Sequence, residues 1–281
     1  MKASEWKLGM SSCCTHAVNR EVLEAYAKGQ IDCMEISLEM DYCKALNWKQ
    51  LRKDADETGV GLWSFHLPFY PFETNNFAHP DPTVRKNTVA LHSEFVKHCG
   101  DIGIGIVVAH PSGEPNPAED RAERLKYAQD TLSELAEIAA KEGVTVAVED
   151  LPRTCIGNCS KEIAFITEGS DKLRVCFDTN HLLFEDNADF IRAVGSKIVT
   201  IHASDDDLID EKHWLPYEGK NNWVEIVTLL EEAGYAGPFM YEVGFGKPRA
   251  LNRRELNFAD FRENYLAVIH KEKAKRIPYS E

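Results

Sequence analysis

The sequence contains no apolar run that approaches the roughly 20 residues needed for a membrane-spanning helix. Residues 1–7 lack the apolar core of a signal peptide and lead directly into a strand pattern. We therefore expect a protein that does not enter a membrane and that works in the cytoplasm.

Basic residues are few relative to acidic ones. The 281 residues include 32 lysines and arginines against 46 aspartates and glutamates, which gives a formal net charge of −14. A protein that holds DNA by its phosphates needs a basic face that displaces counterions. The charge balance thus argues against a nucleic-acid partner and favours a small-molecule substrate.

Paired cysteine motifs for zinc are also missing. Of the eight cysteines, only Cys155 and Cys159 have a spacing that resembles half a zinc site, and no second pair accompanies them. We expect reduced, mostly structural thiols.

Apolar segments and helical patterns alternate along the chain. Runs rich in Val and Ile are typical of strands buried on both faces of a parallel sheet, and they cover residues 6–12, 33–38, 61–67, 104–110, 145–150, 174–179, 198–203 and 238–243. Helical patterns cover residues 20–29, 48–58, a stretch that opens at 81–82, and residues 118–142, 161–168, 187–194, 223–233 and 258–270. Eight strand–helix units predict a single α/β domain, a (β/α)8 TIM barrel over residues 1–281. A doubly wound open sheet is the alternative, but no Gly-x-Gly-x-x-Gly turn follows the first strand.

Near the end of each of the last four predicted strands lies a residue that can bind a metal: Glu149, Asp178, His202 and Glu242. The carboxyl ends of barrel strands meet at one face, where TIM-barrel enzymes carry their sites. Carboxylate oxygen and imidazole nitrogen together suit one divalent ion such as Mn²⁺, Mg²⁺, Co²⁺ or Zn²⁺. Each residue alone could be a solvated strand end, but four in succession predict a metal site, and we expect no organic cofactor.

Further polar side chains are directed to the same mouth. His66 and His110 end the third and fourth predicted strands, while His181 and His213 lie in loops that follow Asp178 and His202. These histidines could bind substrate hydroxyls or hold further metal ions. Arg153 could reach a substrate oxygen or pair with a surface carboxylate.

The loop after the eighth predicted strand offers a candidate phosphate site. Gly246 would let the backbone approach an anion, and Lys247 and Arg249 would supply charge. The alternative is an ordinary flexible loop with two solvated cations.

The motifs around the four predicted ligands resemble those of a known superfamily. They are Val148-Glu149-Asp150, Phe177-Asp178-Thr179-Asn180-His181, Ile201-His202-Ala203-Ser204-Asp205 and Tyr241-Glu242-Val243. The chain resembles the xylose-isomerase-like superfamily of TIM barrels, which includes sugar phosphate isomerases and epimerases and the endonuclease IV type of AP endonuclease. In the epimerases related to D-tagatose 3-epimerase, residues matching Glu149, Asp178, His202 and Glu242 hold one divalent metal. The residue matching His181 contacts the substrate there.

This resemblance implies a divalent-metal-dependent sugar or sugar phosphate isomerase or epimerase. The metal would bind the carbonyl and a neighbouring hydroxyl of a ketose and stabilise a cis-enediolate. Glu149 and Glu242 would remove and return the proton. The implied partner is a small-molecule carbohydrate, and a homodimer would be in keeping with the superfamily.

Three alternatives stay open. Endonuclease IV enzymes use three zinc ions, with ligands corresponding to His66, His110 and His181, and an Asp-x-His pair where this chain has Glu211-Lys212-His213. A lyase or dehydratase of the inosose dehydratase type would use the same fold and the same metal ligands. A barrel retained only as a binding or scaffold protein would predict broken ligands, and none of the four is broken.

Overall fold

The computed structural model describes residues 1–279, and its centre is one parallel sheet of eight strands. The strands follow one another around the sheet in the order β7-β6-β5-β4-β3-β2-β1-β8. Their bounds are β1 Leu8–Ser11, β2 Cys33–Ser37, β3 Gly61–His66, β4 Ile106–Ala109, β5 Thr145–Glu149, β6 Leu173–Asp178, β7 Ile198–His202 and β8 Phe239–Tyr241. The N–H of Ala203 donates to the carbonyl of Met240 at 2.7 Å, so the chain just beyond β7 bridges to β8. The predicted (β/α)8 barrel is confirmed.

Helices connect successive strands, and a last helix follows β8. They are α1 Arg20–Lys28, α2 Met40–Ala45, α3 Trp48–Thr58, α4 Pro82–Asp101, α5 Arg121–Lys141, α6 Ser160–Glu168, α7 Asn187–Val194, α8 Trp223–Glu232 and α9 Phe258–Ile269. Two helix boundaries have clear local causes: Asp81 accepts a hydrogen bond from the N–H of Thr83 at the start of α4, and Gly59 ends α3 with φ +78°. The pattern did not predict α2, because six residues are too few to show helical periodicity. Within residues 1–279, no helix is long and apolar enough to cross a bilayer.

Three strands, β1, β4 and β8, are each three residues shorter than the apolar runs that predicted them. Short 3₁₀ turns flank β1 at Ala3–Glu5 and Ser12–Cys14, and β4 starts two residues later than predicted. β8 has only three residues, so Glu242 directly follows the strand. The eight cysteines are all free, as their spacing predicted.

The alternation of side chains along the strands brings the polar groups into the barrel. Val108, Ala147 and Cys176 form a small apolar cluster separate from the main core. Because residues two apart share a face of a strand, Glu149 faces the same side as Ala147, and Asp178 the same side as Cys176. Both carboxylates therefore sit on top of a packed apolar layer at the C-terminal mouth.

Candidate metal centre

The four predicted metal ligands converge at this mouth. Glu149, Asp178, His202 and Glu242 each contribute an atom to a group in which all atoms lie within 4.8 Å of one another. Nδ1 of His202 lies 2.9 Å from Oε1 of Glu149, 3.1 Å from Oε2 of Glu242 and 3.8 Å from Oδ2 of Asp178. The sequence thus predicted the convergence correctly, while the role of the four residues as ligands stays a prediction.

The donor set fits a divalent cation. Oδ2 of Asp178 is buried and has no hydrogen-bond partner, although it lies 3.8 Å from Nδ1 of His202. A buried carboxylate oxygen without a partner is costly, and a cation would satisfy it. Three carboxylates and one imidazole are also the mixed oxygen and nitrogen set that Mn²⁺, Co²⁺ or Zn²⁺ accepts.

The pKa values show how crowded these charges are. Burial raises the pKa of Asp178 well above its usual value. Burial would also raise the pKa of Glu149, but the neighbouring His202 and His110 hold it well below its usual value. Burial opposes protonation of His202, yet Cys176 and the surrounding carboxylates raise its pKa. The positive charge of one imidazole thus offsets the negative charge of several carboxylates, and a divalent cation would offset more of it.

His66 and His110 both hold the second oxygen of Glu149. Nε2 of each lies 3.1 Å from Oε2 of that carboxylate. Nδ1 of His66 also lies 3.1 Å from the carbonyl oxygen of Leu67, so its ring is held at both ends. The ring of Phe69 stacks on His110 with centroids 4.2 Å apart. Both histidines line the site, and their contact with substrate stays a prediction.

His181 and His213 belong to a second cluster beside the first. Ligand-type atoms of His181, Glu211 and His213 lie within 4.8 Å of one another. Nδ1 of His181 lies 3.5 Å from Oδ2 of Asp178, so the two clusters adjoin. This cluster has the residue types to bind either a polar substrate or a second ion.

Arg153 is engaged by three carboxylates. Its guanidinium donates to Glu114 at 2.8 Å, to Glu211 at 2.8 Å and to Asp210 at 3.0 Å. It therefore links the loops after β4, β5 and β7, as the ion-pair alternative predicted. A substrate contact by Arg153 stays a prediction that this arrangement does not favour.

The candidate phosphate loop is open to solvent. Gly246, Lys247 and Arg249 are all exposed. The carbonyl of Gly246 accepts a hydrogen bond from Nη1 of Arg253 at 2.7 Å. Its role in phosphate binding stays a prediction.

The sequence pattern missed one buried carboxylate of the site. Glu35 on β2 is fully buried, and its Oε1 and Oε2 lie 3.0 and 3.1 Å from Nε2 of His202. The available signal was a single charged residue within the apolar run Cys33–Ser37.

An eight-stranded β/α barrel whose polar side chains gather at the C-terminal mouth has the form of a TIM-barrel enzyme. The chain belongs to the xylose isomerase-like TIM barrel family, whose sequence model matches residues 23–260. An uncharacterized protein of Methanocaldococcus jannaschii is 27% identical, over 100% of this chain and 97% of the relative. The D-psicose 3-epimerase of Ruminiclostridium cellulolyticum is 24% identical, over 78% of this chain and 76% of its own. The solved structure of a D-tagatose 3-epimerase-like protein has a TM-score of 0.79 and 25% identity, over 94% of this chain and 98% of that one.

Proposed function

We propose that the protein is a divalent-metal-dependent isomerase or epimerase of a sugar or sugar phosphate. The observation that carries this proposal is the convergence of Glu149, Asp178, His202 and Glu242 around an unpartnered oxygen of Asp178. The similarity to sugar epimerases over most of the chain supports the choice of substrate class.

The residues of the site can perform proton transfer next to a carbonyl. A divalent ion held by the four residues would polarise the carbonyl of a ketose and acidify the neighbouring C–H bond. The carboxylates of Glu149 and Glu242 both contact His202. One of them would remove the proton of that C–H bond, and the other would return it. His66 and His110 hold Oε2 of Glu149 and so orient the carboxylate. Return to the opposite face gives an epimer, and return to the neighbouring carbon gives an aldose.

The surrounding histidines would select a hydroxylated substrate. His181 and His213 present ring nitrogens at the edge of the metal centre, where they would contact sugar hydroxyls. Lys247 and Arg249 would reach a terminal phosphate if the substrate carries one.

The test is a screen of ketoses, ketose phosphates and inososes with Mn²⁺ added, in deuterated water. We expect one sugar to be converted and to take up deuterium at the carbon next to the carbonyl. His202→Ala should lose both. Asp32→Asn, an exposed change directly before the first residue of β2, should keep both. Metal-loaded protein that converts and exchanges none of these sugars would contradict the proposal.

A nuclease is the second candidate, and the cluster of His181, Glu211 and His213 favours it. Against it stands the net charge of −14, which opposes binding to a polyanion. We expect no useful cleavage of duplex DNA that contains an abasic site. Metal-dependent nicking that disappears in His202→Ala would replace the isomerase proposal with this one.

A further inference from the structure

Glu35 reaches across the interior of the barrel to the metal centre. It lies on β2, three strands away from His202 on β7 around the barrel. Its side chain has no exposed surface, and both carboxylate oxygens lie within 3.1 Å of Nε2 of His202. The hydroxyl of Ser64 on β3 donates to Oε2 of Glu35 at 2.8 Å. The carboxylate is thus held from one side and directed at a single atom of the imidazole.

The two nitrogens of His202 have different surroundings. Nδ1 faces Glu149, Glu242 and Asp178, which are the other candidate ligands. Nε2 faces Glu35. A carboxylate oxygen accepts hydrogen bonds, so the 3.1 Å contact between Nε2 and Oε2 of Glu35 is a hydrogen bond when the proton sits on Nε2. The ring then offers the lone pair of Nδ1 to a cation.

We propose that Glu35 is a positioning residue, which accepts a hydrogen bond from Nε2–H of His202 and so leaves Nδ1 as the metal-binding nitrogen. This inference rests on the proposed function, since it needs a divalent cation at the four ligands. Carboxylates that hold the second nitrogen of a metal-bound histidine fix the tautomer and ring orientation and make the ligand more basic. The carboxylate of Glu35 contacts Ser64 and His202, so it would act on the metal centre through His202.

A purely structural role would have a different consequence. Glu35 would then anchor β2 through Ser64, and its loss would lower stability without a specific effect on the cation. A positioning role requires that metal affinity change in a protein that is still folded. The two roles can therefore be separated by measuring binding and folding in the same variants.

The experiment compares Glu35→Met, Glu35→Gln and Asp32→Asn with the wild type. Met has a similar length but offers no oxygen acceptor, while Gln keeps a neutral one. Titration with Mn²⁺ should show affinity weakened roughly 10–100-fold in Glu35→Met. The loss should be smaller in Glu35→Gln, and Asp32→Asn should bind as the wild type does.

A second readout observes the imidazole directly. Protein labelled with ¹⁵N-histidine and loaded with Zn²⁺ should show a proton on Nε2 of His202, in a resonance that is absent from His202→Asn. In Glu35→Met this proton should lose its downfield shift and exchange faster with water. An unprotonated Nε2 in the loaded wild type would overturn the inference.

Two further outcomes decide the matter. Unchanged Mn²⁺ affinity in a folded Glu35→Met removes the positioning role and leaves the proposed function standing. If Glu35→Met does not fold, unchanged affinity in both single variants, Glu35→Gln and Ser64→Ala, has the same meaning. A wild type that binds no divalent cation removes the proposed function and this inference with it.

Discussion

The carboxylate of Glu149 contacts three histidines of the site. Its Oε1 contacts Nδ1 of His202 at 2.9 Å, and its Oε2 contacts Nε2 of His66 and of His110 at 3.1 Å. Burial would raise its pKa, but His202 and His110 outweigh burial and keep it low. The carboxylate is therefore ionised at neutral pH, as a metal ligand or a base must be.

At this scale the first prediction concerns the two glutamates. Glu149→Gln and Glu242→Gln should each lower kcat by about 10²–10⁴, because an amide keeps one oxygen for the metal but cannot take a proton. Steady-state rates on the best sugar from the screen, with metal content measured for each sample, would test this. Asp32→Asn is the matched acid-to-amide control. Full activity in a metal-loaded Gln variant would show that the substituted glutamate is not the acid or base.

The sequence pattern predicted the site residues that lie at the ends of strands. Glu149, Asp178 and His202 each end an apolar run, and Glu242 directly follows one, so the position along a strand was enough. Glu35 stands in the middle of its strand, and its partner is 167 residues away in sequence. No short-range signal marks such a contact, because it exists only when the barrel closes.

Among the elements, α4 shows how a connecting helix is tied to a loop at the mouth. His92 on α4 is buried, and its Nε2 lies 2.7 Å from Oδ1 of Asn75 in the loop after β3. Its ring also stacks on Phe77 of that loop with centroids 5.1 Å apart. Burial, with a smaller contribution from His66, lowers the pKa of His92 to about 3.

The second prediction follows from this buried histidine. The folded-state pKa lies below the unfolded value of about 6.5, so the unfolded chain takes up the proton first. The stability that His92 contributes is therefore present above about pH 6.5 and is lost as the pH falls towards 3. Between about pH 7.5 and about pH 5, the wild type should lose ~2 kcal/mol of unfolding free energy that His92→Gln does not lose. Urea denaturation at both pH values would measure it, and His98→Gln, an exposed change on the same helix, should behave as the wild type does. Equal losses in His92→Gln and the wild type would contradict the assignment.

The third prediction concerns the loop after β8. If Lys247 and Arg249 bind phosphate, the double change Lys247→Ala with Arg249→Ala should raise KM for a sugar phosphate and leave kcat nearly unchanged, because such binding is uniform in ground and transition states. Both side chains are exposed, so the fold should tolerate the change. Kinetics on a matched pair of sugar and sugar phosphate would test it, and a wild-type preference for the unphosphorylated sugar would remove the role.

Element boundaries were predicted less well than element types. The end of α3 and the start of α4 were predicted well, because Gly59 and Asp81 act through a local backbone angle and a local hydrogen bond. The predicted end of β8 was two residues too late, because an apolar run does not show where pairing with the neighbouring strand stops. Pairing with β1 ends at Tyr241, and that places Glu242 just beyond the strand.

For the whole molecule, barrel closure concentrates negative charge at one end of the fold. The chain has a net charge of −14, and four of its carboxylates, those of Glu35, Glu149, Asp178 and Glu242, surround His202. The strand count and strand ends predicted the convergence of Glu149, Asp178, His202 and Glu242. The second cluster, the ion pairs of Arg153 and the contact from Glu35 depend on distances between strands and loops that are remote in sequence.

The last prediction is that a divalent cation stabilises the entire barrel. A ligand that binds only the folded state at about 100 times its Kd adds ~2.7 kcal/mol to the free energy of unfolding, which for a domain of this size raises Tm by roughly 5–10 °C. Thermal unfolding with increasing Mn²⁺ should show this shift in the wild type and in Asp32→Asn. It should be absent in Asp178→Asn, which removes the unpartnered buried oxygen. Calorimetric titration should saturate at one ion, and Glu211→Gln should leave that stoichiometry unchanged. Two bound ions in the wild type and one in Glu211→Gln would assign the second ion to His181, Glu211 and His213. A Tm shift in Asp178→Asn equal to that of the wild type would show that the ion binds elsewhere.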